Sequence, residues 1–250
     1  MNPDLIYIII LSFIGSVAGL IGGVIFLIKK DWAKTLSLYA VPFAAGVLIT
    51  VSLLHLLPEA SHEVGEKAYY VVLAAFLGSF LFEEFFAQLH HHEHRKVTMY
   101  RSSIPLVIFG DTIHNFIDGV AIASAYLADP TFGLIVTLAT FLHETPHEIG
   151  DFGILIKAGW SRRKTFFANA FSALATFPGA FFVFFLVRDA HEKIGVLLAI
   201  SAGVFLFLGA ADFLPEVGED DNRKVAIKEI FFLLLGVSVM VLLKVLSPAH

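Results

Sequence analysis

The sequence contains no cysteine, which removes disulfides, thiolate metal sites and cysteine nucleophiles from consideration. Charge is scarce as well. Only 16% of the 250 residues are Asp, Glu, Lys or Arg, against about 25% in an average soluble domain. No basic run goes beyond Arg162-Arg163-Lys164, and the formal net charge is −5, so nucleic acid is excluded as a partner. Nothing resembles a linker, and 1–250 reads as a single domain. Hydrocarbon takes the place of charge: 57% of the residues are hydrophobic, 26 of them Phe, and the mean hydropathy is +0.80. A single soluble core of this size cannot hide that much apolar surface. The chain is expected to be an integral membrane protein with the lipid bilayer as its surroundings.

A spanning helix takes about 20 mostly apolar residues. The pattern predicts eight, at about 5–28, 36–58, 68–90, 103–128, 131–157, 164–187, 193–215 and 226–246, for an all-α, polytopic fold. The first stretch lacks a basic leader and reads as a retained helix. Thirteen Lys and Arg residues fall in the loops after the odd-numbered spans, namely 29, 30, 34, 95, 96, 101, 157, 162, 163, 164, 223, 224 and 228. The opposite face holds four, Lys67, Arg188, Lys193 and Lys244. That bias predicts a cell-membrane protein with both termini outside the cytoplasm.

Residues 45–59 (AGVLITVSLLHLLPE) can be laid over 202–216 (AGVFLFLGAADFLPE), which sets His55 opposite Asp212. The second span runs outward and the seventh inward, so the repeat is inverted: spans 1–3 against 6–8, with 4 and 5 between them in a 3+2+3 arrangement.

That central pair carries the chemistry. The fourth span reads Asp111-Thr-Ile-His114-Asn115-Phe-Ile-Asp118-Gly, and the fifth His143-Glu144-Thr-Pro146-His147-Glu148-Ile-Gly-Asp151. Each ionisable residue at mid-membrane costs about 2.5–3.5 kcal/mol on insertion scales, so partners or a bound cation must offset it. At about 100° per residue, His114 and Asp118 share a helix face, as do His143 and His147. Those four could hold one divalent ion. Asn115 and Glu144, with Asp118 and His147 bridging, could hold a second. Pro146 leaves the Leu142 carbonyl without its helical donor and is expected to kink the helix. Nitrogen and oxygen ligands without sulfur suit Zn²⁺, Fe²⁺, Mn²⁺ or Co²⁺, with Cd²⁺ as a further candidate, and imidazole disfavours Mg²⁺ and Ca²⁺. No organic cofactor is expected.

These two motifs, His114-Asn-Phe-Ile-Asp-Gly119 and His143-Glu-Thr-Pro-His-Glu-Ile-Gly-Asp151, resemble the fourth- and fifth-helix signatures of the ZIP family of divalent metal transporters. The resemblance implies zinc uptake into the cytoplasm through a metal site between helices 4 and 5. It carries ligand roles onto His114, Asn115, Asp118, His143, Glu144 and His147, and suggests that Asn169 borders the second ion. It also implies elevator-like movement of the central pair. A homodimer through the third span is a further expectation.

Secondary candidates are weaker. His55, Glu59, His62 and Glu63 near the outer end of the second span could pass metal or protons, or simply solvate a helix end. Asp111, Glu148 and Asp151 fit a pathway beside the main site. Asp212 and Glu216 could form an exit, and Glu83 and Glu84 have no partner that the sequence reveals. His90, His91, His92 and His94 read either as a metal-receiving patch or as a solvated helix cap. From a different functional class, His143-Glu-Thr-Pro-His147 also satisfies H-E-x-x-H, the pattern of zinc metallopeptidases, with Glu144 as general base. An intramembrane protease is therefore the rival reading. The proline inside the motif, the lack of a downstream Asp-Gly and the flanking repeat all count against it.

Overall fold

The computed structural model describes residues 2–88, 104–218 and 222–246, and among these every regular element is helical. Helix α1 (Pro3–Gly15) continues through a 3-10 turn at Val17–Leu20 into α2 (Ile21–Ile28). Helix α3 (Lys30–Val51) passes through a π turn at Ser52–Leu56 into α4 (Leu57–Val64), followed by α5 (Lys67–Gln88). Then come α6 (Ile104–Ala128), α7 (Pro130–Lys157), α8 (Arg162–Ala173) and α9 (Thr176–Leu186). Helix α10 (His191–Phe207) runs into a π turn at Leu208–Phe213 and a 3-10 turn at Leu214–Glu216, and α11 is Arg223–Leu246. The histidines at 90, 91, 92 and 94 and the basic residues at 95, 96 and 101 lie outside the described residues.

Several helix starts follow from local chemistry. The Asn2 side chain accepts the Asp4 N–H at 2.9 Å ahead of Pro3. Asp129 accepts the Phe132 N–H at 2.8 Å ahead of Pro130, and Ser161 accepts the Lys164 N–H at 3.2 Å. A side-chain oxygen satisfying an orphan donor, with proline where no donor is needed, is a strong start signal.

Among the described residues, six helical stretches are long and apolar enough to cross a membrane: Pro3–Ile28, Thr35–Val64, Lys67–Phe85, Arg162–Leu186, His191–Glu216 and Arg223–Leu246. Helices α6 and α7 are just as long, at 25 and 28 residues, and reach roughly 38 and 42 Å at about 1.5 Å per residue. Both carry ionisable residues along their length, Asp111, His114 and Asp118 on α6 and His143, Glu144, His147, Glu148 and Asp151 on α7. Burial is distributed to match. Only 11% of the spanning window of α5 and 17% of that of α11 is buried, against 67% for α3–α4. The outer helices therefore turn Leu, Phe and Ile outward, while His114, Asp118, His143, Glu144 and Glu148 are interior. Apolar outside and ionisable inside is the arrangement a bilayer favours.

The two π turns fall in one register. The Leu57 N–H reaches back to the Ser52 carbonyl, and the Leu214 N–H to that of Gly209. Each leads into Leu-Pro-Glu, and His55 and Asp212 occupy equivalent places within them. Proline supplies the cause: Pro58 and Pro215 have no N–H, so the preceding turn re-registers. Glycine contacts repeat in the same way. A Cβ at Gly46 would collide with the Leu233 carbonyl and crowd the Val237 nitrogen on α11. One at Gly203 would meet the Val72 carbonyl and the Phe76 nitrogen on α5. Each glycine thus sits on backbone atoms four residues apart in its neighbour. Gly19 and Gly22 bring the α1–α2 rod onto the backbone of α7 at Glu144 and Thr145.

Candidate metal centre

Helices α6 and α7 cross so that His114 and Asp118, one turn apart on α6, face His143 and Glu144 on α7. One ligand atom from each of these four residues lies within 4.8 Å of all the others. His114 Nε2 is 2.8 Å from Glu144 Oε1 and 3.1 Å from His143 Nε2. Asp118 Oδ2 is 3.6 Å from both imidazole Nε2 atoms, and His143 Nε2 is 3.8 Å from Glu144 Oε1. Donor atoms around a tetrahedral zinc, at about 2.0–2.1 Å from the metal, stand about 3.4 Å apart. The observed 2.8–3.8 Å brackets that spacing. Two imidazoles and two carboxylates make a complete N₂O₂ set, and the two carboxylates balance a divalent charge in a place where net charge is costly.

The surroundings prepare the site for a cation. His143 Nδ1 donates to the Ala139 carbonyl at 2.9 Å, which leaves the Nε2 lone pair directed at the cluster. Both Asp118 oxygens and Glu144 Oε2 are buried without a hydrogen-bond partner. Buried carboxylate oxygens are normally satisfied, and a bound ion would satisfy these.

His147 does not join this group. It lies one turn further along α7, where Nδ1 is 4.0 Å from Asp111 Oδ1 and 3.9 Å from Asp151 Oδ2. Asp111, His147 and Asp151 form a second candidate cluster. The expected grouping of His147 with His114, Asp118 and His143 is therefore rearranged, with Glu144 in its place. Asn115 is committed elsewhere. Its Oδ1 accepts from Ser16 Oγ and, at 3.3 Å, from Thr176 Oγ1, while its amide donates to Asp111 Oδ1 at 2.8 Å and to the Asp111 carbonyl at 3.0 Å. It ties α1, α6 and α9 together. Asn169 is buried on α8 and donates to the Thr165 carbonyl at 2.8 Å. Glu148 is fully buried with neither oxygen hydrogen-bonded.

A cavity of about 520 Å³ lies among α5, α6, α7 and α10. Asp111, His147 and Asp151 line it, and His114 is the one member of the buried cluster to do so. Its other polar wall is Glu83 and Asp212, whose side chains face each other across it. The partner that sequence reading could not find for Glu83 is therefore on α10's π turn. Its equivalent, His55, is bonded through Nε2 to the Met240 carbonyl of α11 at 3.0 Å. Glu59, His62 and Glu63 group at the end of α4, away from that contact.

The H-E-x-x-H pattern is not arranged as a peptidase uses it, since among the described residues no cluster contains both His143 and His147.

A family model described as ZIP Zinc transporter matches residues 87–244. Among curated proteins, the chain is 35% identical over 147 residues to Zinc transporter ZIP10 of Danio rerio, covering 56% of this chain and 17% of that protein. It is 34% identical over 155 residues to Zinc transporter zipt-7.2 of Caenorhabditis elegans, covering 60% and 32%. To Zinc transporter ZIP4 of Homo sapiens it is 38% identical over 129 residues, covering 51% and 20%. The chain thus spans only a minor part of the length of each of these relatives.

Proposed function

We infer zinc transport from the fact that the chain belongs to the ZIP zinc transporter family. The observation that carries the reading is the buried N₂O₂ cluster of His114, Asp118, His143 and Glu144, of zinc dimensions and with three carboxylate oxygens left without a partner. An ion entering it exchanges its water shell for two imidazoles and two carboxylates and becomes electrically neutral inside the membrane. Other first-row divalent ions share these ligand preferences and are alternative cargo.

All eight helical rods cross the membrane in this reading, with α6 and α7 between two inverted three-rod repeats. Support comes from the matching π turns, the matching glycine contacts of Gly46 and Gly203, and the 45–59 and 202–216 correspondence. The excess of Lys and Arg in one set of loops orients both termini outside the cytoplasm and the transport inward. Alternating access comes from movement of the α6–α7 pair against the flanking rods.

The test is zinc uptake into proteoliposomes containing the purified chain. Zinc is expected to accumulate above protein-free vesicles, and no accumulation by folded protein refutes the proposal. Uptake also has an expected pH dependence. Protons and zinc compete for the same imidazole and carboxylate donors, so uptake is expected to decline as pH falls. Initial rates between pH 7.5 and 5.5, with no imposed gradient, measure this, and a rate rising toward acid contradicts it.

His55 tests how far the ion path extends. With Nε2 bound to Met240 and the ring buried, His55→Ala is expected to reduce stability by about 2–4 kcal/mol, from the lost hydrogen bond and the space left behind. Uptake per folded molecule stays within about twofold of native, a small barrier change. A collapse in rate at unchanged stability would instead put His55 on the path.

A further inference from the structure

We propose that the cavity among α5, α6, α7 and α10 binds a linear organic dication, an aliphatic diamine, whose two ammonium groups rest on two separate pairs of carboxyl groups. Binding of this ligand does not depend on the transport reading above; only its effect on uptake rests on that reading.

At about 520 Å³ the cavity falls within the roughly 300–1,000 Å³ usual for small-molecule pockets. Its lining is mostly hydrocarbon, from Ile113 and Ile117 of α6 and Ile200, Val204 and Phe207 of α10. Four acidic side chains interrupt that lining, and they come in pairs. Asp111 and Asp151 belong to the α6–α7 wall, where His147 Nδ1 is 4.0 Å from the first carboxylate and 3.9 Å from the second. Glu83 and Asp212 belong to the α5–α10 wall and stand outside the grouping of Asp111, His147 and Asp151. Among the described residues no Lys or Arg lines the cavity, so no fixed cation compensates either pair.

Unsatisfied atoms show what the cavity lacks. Asp111 is 4% exposed and Asp151 8%, and each keeps an Oδ2 atom without a hydrogen-bond partner. A buried carboxylate in that condition favours a donor that also carries positive charge. An ammonium group has three N–H donors on one nitrogen, enough for both members of a pair.

The separation of the pairs selects the ligand. A metal ion holds its ligands at about 2.0–2.2 Å and cannot serve two groups of carboxyls divided by hydrocarbon. A monoamine answers one pair and leaves the other. A diamine has a charge at each end and methylene groups between them, the same order of charge and hydrocarbon that the cavity presents. Joining two contacts through a spacer makes the second contact intramolecular, so affinity peaks where the spacer matches the span and falls on either side. Glu83, exposed near the end of α5, marks the side from which the ligand enters. In the orientation given by the Lys and Arg bias that side is the cytoplasm.

Linear α,ω-diamines of four to eight carbons are to be titrated calorimetrically into the zinc-free full chain in phosphatidylcholine nanodiscs, with empty nanodiscs as the blank and hexylamine and hexanediol as comparison ligands. One diamine is expected to bind about tenfold or more tighter than hexylamine, with shorter and longer diamines weaker and hexanediol not binding. In Glu83→Gln/Asp212→Asn the best diamine is expected to fall to the affinity of hexylamine, while hexylamine itself changes by no more than about threefold. The melting temperature verifies folding, and Asp212→Asn alone serves if the double variant is unstable. No binding by any diamine, binding no tighter than that of hexylamine, or full diamine affinity in the double variant overturns the site. Enclosed in proteoliposomes, the best diamine is expected to lower zinc uptake about fivefold or more by occupying the cavity. Unchanged uptake with the diamine bound overturns that effect alone. Absence of uptake by native protein refutes the transport reading instead, and the titrations still decide the site.

Discussion

Asp118→Asn is expected to abolish zinc uptake, by about 100-fold or more, while leaving the zinc-free protein as stable as native or more so. Asparagine has nearly the shape of aspartate, so the packing of α6 is unchanged. What is lost is one of the two negative charges that neutralise the ion, leaving a net positive charge in a fully buried place. A 100-fold loss needs only about 2.7 kcal/mol, less than the loss of one partner typically costs a buried charge pair. The stability half of the prediction has the opposite sign for a separate reason. Neither Asp118 oxygen is hydrogen-bonded, so without metal the carboxylate is a destabilising group, and removing its charge relieves the protein. Uptake rates and zinc-free melting curves on one preparation test both halves. A variant that transports within twofold of native removes Asp118 from the ion's path. One that loses transport and melts far lower makes Asp118 a structural residue instead.

The adjacent residue is expected to fail in the other way. A Cβ at Gly119 would be driven into the Thr176 carbonyl and come within 2.9 Å of the Ala180 nitrogen. The contact is reciprocal, because Gly179 on α9 sits on the Phe116 carbonyl and, at 3.2 Å, the Val120 nitrogen of α6. Here backbone meets backbone, and no side chain can swing away. Gly119→Ala is therefore expected to destabilise by about 3 kcal/mol or more, at or beyond the upper end of ordinary overpacking, and to be recovered as aggregate or with a much lower melting temperature. Gly110→Ala on the same helix is the control. Nothing stands within 4 Å of a Cβ there, and the higher helix propensity of alanine should leave stability unchanged or raise it by up to about 1 kcal/mol. Equal behaviour of the two variants would contradict the crossing.

How much of this is legible before folding depends on how far apart the partners lie. Helix starts such as Asn2-Pro3, Asp129-Pro130 and Ser161 are visible because the capping atom and its donor are two or three residues apart. The facing of His114 with Asp118 follows from helical spacing alone. Spacing does not say which ring of the fifth span meets them. His143 and His147 share a face, and only the height at which α6 crosses α7 puts the first in the cluster and the second a turn away. Asn115 shows the same boundary of inference. Its spacing suits a ligand, but its oxygen is taken by Ser16 and Thr176, 99 and 61 residues away. Glu83 had no visible partner because Asp212 stands on a helix at the far end of the chain. The six apolar crossings are obvious in composition. The fifth span is the hardest to see by that measure, since His143, Glu144, His147, Glu148 and Asp151 interrupt its apolar run.

The π turns have a consequence for how these rods are built. A turn that closes on the fifth residue back contains one residue more than its α counterpart, so everything beyond it is rotated by roughly 100° without the axis having to bend. In the α3–α4 rod that spare residue allows Val47, Leu48 and Val51 to pack inward on one side of the turn and His55, Leu56 and Ala60 on the other, while the outer surface stays continuous toward lipid. The rod changes which neighbour it addresses partway across the membrane. The same spare residue in the rod of α10 delivers Asp212 to the cavity wall rather than to the bilayer, so a single-residue insertion, used twice, brings one polar side chain inward from each half of the chain.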